Sequence, residues 1–189
     1  MELQSLSGGF ENAPVEASRA FRAVLNAMAR PGVIETITGA NAPAPMSPAM
    51  ATVILTLCDP ETPIFLASSH DSKDIRNWIA FHIGAPIVTA NKAAFAIGAW
   101  DNLIPLTQYP IGNSEYPDQS STLVVDVPGL EYNGATLRGP GIKKTTQLNL
   151  PETAAFQMNA LLFPLGLDFI FCAGEQMAAL PRTTKVEEF

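Results

Sequence analysis

The chain has 189 residues, of which 15% are charged and 47% hydrophobic, and its formal net charge is -7. That length suits one domain, residues 1–189, with a real hydrophobic core, while the acidic balance excludes broad binding to nucleic acid or anionic membrane, which needs surplus Lys and Arg. Charge well below the roughly 25% of average soluble proteins leaves too little to cover an independent surface, so part of it is expected to be buried against other chains.

The opening Met1-Glu2-Leu3-Gln4 lacks the basic segment and apolar core of an export signal. No stretch offers the ~20 apolar residues of a membrane span, so a cytoplasmic protein is expected. Phe21, Val24, Leu25 and Met28 follow an i, i+3, i+4, i+7 stripe and predict a first helix, with Asn12 near its cap, Pro14 in its first turn and Pro31-Gly32 ending it. After the Pro-rich linker 42–48, Ser47 as N-cap and Pro48 at N1 open a second helix with Met50, Val53, Ile54 and Leu57 on one face, closed by Asp59-Pro60.

Residues 64–67 read as a short buried strand. Asp71 or Ser72 caps a third helix whose stripe is Ile75, Trp78, Ile79 and His82, stopped by Gly84-Ala85-Pro86. Residues 87–88 and 95–99 look extended, although Ala-rich 92–97 also suits a helix. Residues 100–121 carry Pro105, Pro110, Gly112 and Pro117 with little periodicity, a long irregular connection that is a candidate site or interface.

Residues 122–127 form the best strand, rich in β-branched residues, and 136–138 are expected to pair beside it across the Asn133-Gly134 turn. Pro151 opens a last long helix with Phe156, Asn159, Ala160 and Phe163 on one side, stopped by Pro164 and Gly166. Residues 167–173 read as a central strand and 183–187 as a final strand or extended tail. The alternation predicts an α/β fold, helices packed in layers on a mixed sheet, with the antiparallel component supplied by the 122–138 hairpin.

Cys58 and Cys172 sit in apolar runs without a second Cys or a His at ligand spacing, and read as buried reduced thiols. With two histidines, no i, i+4 ligand pair and no clustered carboxylates, no metal site is expected. His82 reads as a core or interface histidine bonded to backbone, whereas His70 lies in a polar loop without a partner signal. Ser120-Ser121-Thr122 lacks the turn of a hydrolase nucleophile and reads as a strand start.

Two features carry anion-binding potential. In Gly139-Pro140-Gly141, Gly139 and Gly141 free backbone N–H groups to face an anion and Lys143-Lys144 follow, yet the spacing is not that of a P-loop and a plain turn also explains it. Arg182, followed by Thr183 and Thr184, offers a forked guanidinium and hydroxyls to a phosphonate or carboxylate. The alternative pairs Arg182 with an acid such as Asp168, locking the terminal strand to the core. A self-contained catalytic constellation is lacking, and no catalytic residue is assigned.

The stretch Phe163-Pro164-Leu165-Gly166-Leu167-Asp168, the apolar run through Cys172 to Gly174-Glu175, and Leu180-Pro181-Arg182-Thr183-Thr184 closely resemble the H subunit of the bacterial carbon-phosphorus lyase core complex. Matching words continue upstream in residues 21–32, 55–63, 81–86 and 139–142, so the resemblance runs from about Phe10 to Val186. It implies a subunit that takes part in forming alpha-D-ribose 1-methylphosphonate 5-triphosphate from a nucleoside triphosphate and methylphosphonate, in alkylphosphonate degradation. It further implies a homodimer that docks on other core-complex subunits in an assembly or site-shaping role. The fold implied is a reduced large domain of pyridoxal-phosphate-dependent transferases without the cofactor. Lys73, Lys92, Lys143, Lys144 and Lys185 all lie in polar or loop-like contexts, unsuited to the desolvated lysine of a Schiff base. The competing reading is a catalytic subunit that binds phosphonate or nucleotide itself, with Arg182, Thr183, Thr184 and the 139–142 turn as its anion pocket.

Overall fold

A computed structural model describes residues 7–187; Met1-Glu2-Leu3-Gln4 lies outside them. In chain order the elements are α1 (Ala13–Ala29), β1 (Glu35–Thr36), α2 (Pro48–Leu57), β2 (Ile64–Leu66), α3 (Lys73–His82), β3 (Phe95–Ala99), α4 (Trp100–Leu103), β4 (Thr122–Asp126), β5 (Ala135–Arg138), β6 (Thr146–Leu148), α5 (Ala154–Ala160), β7 (Asp168–Ala173), β8 (Gln176–Leu180) and β9 (Lys185–Glu187). Six strands form a mixed sheet in the order β1-β8-β7-β4-β3-β2, and β6-β5-β9 form a separate antiparallel sheet. In the large sheet β2, β3, β4 and β7 run parallel, while β8 and β1 are antiparallel to their neighbours.

The sheet is buried on both faces, which is why its strands are near-continuous apolar runs. Val124 of β4 and Ile170 and Cys172 of β7 face one core with Val24, Met50, Ile54, Ile75, Trp78 and Ile79 of the first three helices. Leu123, Val125, Phe169 and Phe171 face the other, with Trp100, Leu103, Leu137, Leu148 and Phe156. There Phe156 sits between Trp100 and Phe169, each ring centroid 4.9 Å away, with the edge-on approach to Phe169 that aromatic quadrupoles favour.

Local signals account for the helices best. Ser47 accepts a hydrogen bond from Met50 N at 3.4 Å and Ser72 from Ile75 N at 3.2 Å, each satisfying an orphan donor of the first turn. In α1 the buried residues are Ala20, Val24 and Ala27, whereas Phe21 and Leu25 are exposed. Close packing of α1 on α2 selects small residues for the inner face, so much of the large apolar stripe points outward.

Three expectations are corrected. The 122–138 segment is not a hairpin, because β4 is flanked by β3 and β7 and has no free edge for β5. The antiparallel component comes from the β7–β8 hairpin, closed at Gly174-Glu175, together with β1. The last helix is only seven residues long, since the chain must turn back after Asn159, whose amide clamps both the N–H and the carbonyl of Leu167 at 2.8 Å. Phe163, placed on its inner side by spacing, is exposed. The 100–121 connection is ordered by α4, a short 3-10 turn (Leu106–Gln108) and a bridge between Ile111 and Ser120.

Candidate functional site

Four of the five sequence-derived candidates, Arg182, Thr183, Thr184 and Gly139, meet at the amino edge of the parallel strands. Asp168 opens β7, and Arg182 follows β8 so that it returns beside it. The Arg182 backbone N–H donates to Asp168 Oδ1 at 2.8 Å, and Nε reaches both carboxylate oxygens at 3.2 Å. Nη1 donates to the Pro117 carbonyl at 2.8 Å, and Nη2 is shared between Asp168 and the Ser120 hydroxyl. Side-chain exposure is 13% for Arg182 and 17% for Asp168, so the pair is largely withdrawn from water. The fork therefore locks the tail after β8 to the start of β7 and to the end of the 100–121 connection.

Gly139 lies against this corner: a Cβ there would stand 3.1 Å from the Thr183 carbonyl oxygen and 3.4 Å from Thr184 Cα. Thr184 is 2% exposed, and its Oγ1 has no hydrogen-bond partner. Gly141 faces away toward α1, where a Cβ would come within 1.9 Å of the Ala29 carbonyl oxygen. The fold thus brings Arg182, Thr183, Thr184 and Gly139 together, while Gly141 serves a tight backbone crossing with the end of α1.

At the opposite, carboxyl edge lies a constellation that the sequence reading missed. His70 is 3% exposed, with Nδ1 at 3.0 Å from Ser69 Oγ and Nε2 at 3.1 Å from Asp126 Oδ2. Ser69 Oγ also accepts from Ala99 N at 3.0 Å, which turns its own proton toward His70 Nδ1 and leaves the Nε2 proton for the Asp126 carboxylate. Asp126 Oδ2 further accepts from Ser47 N at 3.2 Å, at the start of α2. This polar chain ties together the ends of β2, β3 and β4, the edge at which α/β sheets hold ligands. His70 is buried and bonded at both ring nitrogens, and in this way it ties the three strand ends together. The available signal was positional: Ser69-His70 and Asp126 each stand at or just past the end of an apolar strand.

Between α5 and the 104–111 segment opens an apolar cavity of about 600 Å³, lined by Ile104, Leu106, Tyr109, Met158, Leu162 and Leu167 among others. Of the lining residues Ile104, Met158 and Leu162 are exposed, and Leu161 and Phe163, the chain neighbours of Leu162, are 78% and 60% exposed. Burial pushes the Tyr109 hydroxyl up to about 12. Glu152 at the cavity accepts from Trp100 Nε1 at 3.1 Å.

The remaining candidates are structural. His82 Nε2 lies 3.2 Å from the Ser7 carbonyl oxygen, a backbone contact also made by Trp78 Nε1 at 3.1 Å. Burial, then the neighbouring Asp59 charge, pushes the Cys58 thiol up to about 12, and burial with the Asp126 charge raises Cys172 well above its ordinary value. Neither is a reactive thiolate. Ser121 is buried and donates to the Ala93 carbonyl at 2.6 Å. All five lysines are exposed. Among the described residues no group of three His, Cys, Asp or Glu side chains could hold a metal ion, and no helix is long and apolar enough to cross a membrane.

A family model described as bacterial phosphonate metabolism protein (PhnH) matches residues 8–187. The chain is similar to the alpha-D-ribose 1-methylphosphonate 5-triphosphate synthase subunit PhnH of Rhizobium meliloti (strain 1021), with 39% identity over 193 residues covering 97% of this chain and 96% of that relative. It is also similar to the putative C-P lyase subunit protein HtxG of Stutzerimonas stutzeri, with 28% identity over 196 residues and 94% of each chain covered.

Proposed function

The chain belongs to the bacterial phosphonate metabolism protein (PhnH) family, and from that premise we propose that it is a subunit of the carbon-phosphorus lyase core complex in alkylphosphonate degradation. In this reading it takes part in forming alpha-D-ribose 1-methylphosphonate 5-triphosphate from a nucleoside triphosphate and methylphosphonate, and its share is assembly and shaping of a site completed by other subunits. The observation that carries it is the end-to-end 39% identity to a named synthase subunit. The physical support is surface chemistry: Ile104, Met158 and Leu162 are exposed and line one apolar cavity, as at a subunit interface rather than on a solitary protein.

The same reading extends to pairing of two copies, to a cytoplasmic setting, and to a core derived from the large domain of pyridoxal-phosphate-dependent transferases without their cofactor. The exposure of all five lysines agrees with the last point, since a Schiff-base lysine needs a desolvated pocket. The test is co-expression with the other core-complex polypeptides. The chain is expected to copurify with them, and conversion of nucleoside triphosphate and methylphosphonate is expected to require it. A complex that forms and turns over fully without this chain would overturn the proposal.

One observation favours a second reading, in which this chain holds the anion itself. Gly139 packs on Thr183 and Thr184 beside Arg182, and the Thr184 hydroxyl is buried without a partner. A phosphonate or nucleotide phosphate would then replace Asp168 on the guanidinium. Titration of the isolated protein with ATP and with methylphosphonate separates the two readings: saturable binding lost in Arg182→Lys, with folding and assembly intact, would establish the anion pocket.

A further inference from the structure

The Lys and Arg residues of this acidic chain number eleven, and five of them gather at one end of the small sheet. Arg138 ends β5 and Lys185 opens β9, and they are Cα partners in an antiparallel pair, so both side chains leave the same face. Lys143 and Lys144 lie on the loop leaving β5 at that end. In this loop Gly141 packs on Ala29 and Pro31, the two neighbours of Arg30, at the end of α1. All five cations are exposed.

Two carboxylates stand beside these five cations. Glu187 accepts from Arg138 Nε at 3.1 Å, and Arg30 donates to the amide oxygen of Asn26, whose Nδ2 donates in turn to Glu35. Lys143, Lys144 and Lys185 make no ion pair among the described residues. None of the five lines the cavities under α5, beside α1, beside α3 or at the amino edge. A small anion needs donors that converge in a concavity, whereas an open array of long cations matches an extended surface of opposite charge.

We infer that this end of the small sheet, with Arg30, Arg138, Lys143, Lys144 and Lys185, is a docking face for an acidic protein surface presented by another subunit of the assembly. The net charge of -7 repels acidic proteins elsewhere on the molecule, so a local positive end selects one approach direction and speeds productive encounter. The inference rests on the subunit reading given above and adds to it the face and the chemistry of the partner.

The test uses the full chain co-expressed with the other core-complex polypeptides, as wild type, as K143E/K144E/K185E, and as the milder K143A/K144A/K185A in case charge reversal impairs folding. Thermal unfolding of each isolated variant checks the fold. Like charges facing one another across an interface are costly, so recovery of the reversed variant in the complex is expected to fall at least about tenfold. Wild-type association is expected to weaken on raising salt from about 0.1 to 0.5 M, more steeply than that of the alanine variant. Folded variants that copurify undiminished at every salt concentration would overturn the docking face and leave the subunit reading standing. A wild-type chain that never copurifies would remove the subunit reading and the inference with it. Variants that assemble normally but lose binding to a fluorescent single-stranded RNA would also overturn it, by assigning the cations to nucleic acid.

Discussion

Arg182 and Asp168 are joined twice, once through the Arg182 backbone N–H and once through its guanidinium, so a single carboxylate holds both the path and the side chain of the segment leaving β8. The guanidinium also reaches Pro117 and Ser120, and the ion pair thereby fastens three chain segments at the amino edge of the sheet. Breaking such a largely buried pair from one side leaves an uncompensated charge behind. Arg182→Ala is expected to destabilise the protein by about 2–4 kcal/mol, read as a lower urea midpoint. A loss below about 1 kcal/mol would place the pair among solvent-screened surface bridges instead.

His70 invites the parallel experiment at the carboxyl edge. His70→Ala removes both the acceptor for Ser69 and the donor to Asp126, leaving the carboxylate with the Ser47 N–H. The expected cost is about 1–3 kcal/mol, the range for orphaning buried polar groups. Amide exchange should report the place of the damage. The Ala99 N–H, bonded to Ser69 Oγ, is expected to exchange faster in the variant than in the wild type, while amides of the β5–β9 pair keep their protection.

These two polar centres differ in how far the sequence revealed them. Arg182 and Asp168 were legible as alternatives, because a charged residue at the head of an apolar strand demands a partner and few were on offer. His70 was not, since its two partners are an adjacent serine and a carboxylate 56 residues away, brought together only by the parallel pairing of β2, β3 and β4. The same division runs through the fold. Ser47-Pro48 and Ser72 announced helix starts through local capping chemistry, and the apolar runs of β4 and β7 announced buried strands. By contrast β8, Gln-Met-Ala-Ala-Leu, is made of helix formers and takes its strand form from pairing with β7. In the small sheet β5 pairs with β6, the next strand along, and with β9 from the far end of the chain, whereas the sequence reading paired it with the preceding β4, whose two edges are taken by β3 and β7.

Glycine substitutions separate backbone necessity from mere occurrence. Gly141 has φ +81° and no room for a Cβ beside the Ala29 carbonyl oxygen, so Gly141→Ala combines left-handed strain of about 1–2 kcal/mol with displacement of the loop from α1. A total loss above about 2 kcal/mol is expected. Gly129 has neither a positive φ nor any atom within 4 Å of a built Cβ. Gly129→Ala is therefore expected to fall within about 0.5 kcal/mol of the wild type or to stabilise slightly, by narrowing the unfolded ensemble. Thermal midpoints of the two variants side by side decide the matter, and equal losses would contradict the assigned role of Gly141.

Stability should decline on the alkaline side, for a reason located in the core. Cys58 is raised from 9.0 to about 12 and Tyr109 from 10.0 to about 12, with burial the leading cause in both, and Cys172 moves in the same direction. Each group is neutral when protonated, and burial favours that form in the folded state. Below its unfolded value each group binds its proton in both states, and the contribution is fully present. Above that value the unfolded chain sheds the proton while the folded one retains it, so the stabilisation is lost as pH rises through the folded value. For Cys58 the window runs from about 9 to about 12, and one such group contributes a slope of up to about 1.4 kcal/mol per pH unit. Urea midpoints are expected to hold from pH 7 to 8.5 and then fall through pH 10.5. Cys58→Ala lowers stability at neutral pH through lost packing but flattens the alkaline fall, because one proton-linked group has been removed. An unchanged slope in that variant would show that the Cys58 thiol already meets solvent in the native protein.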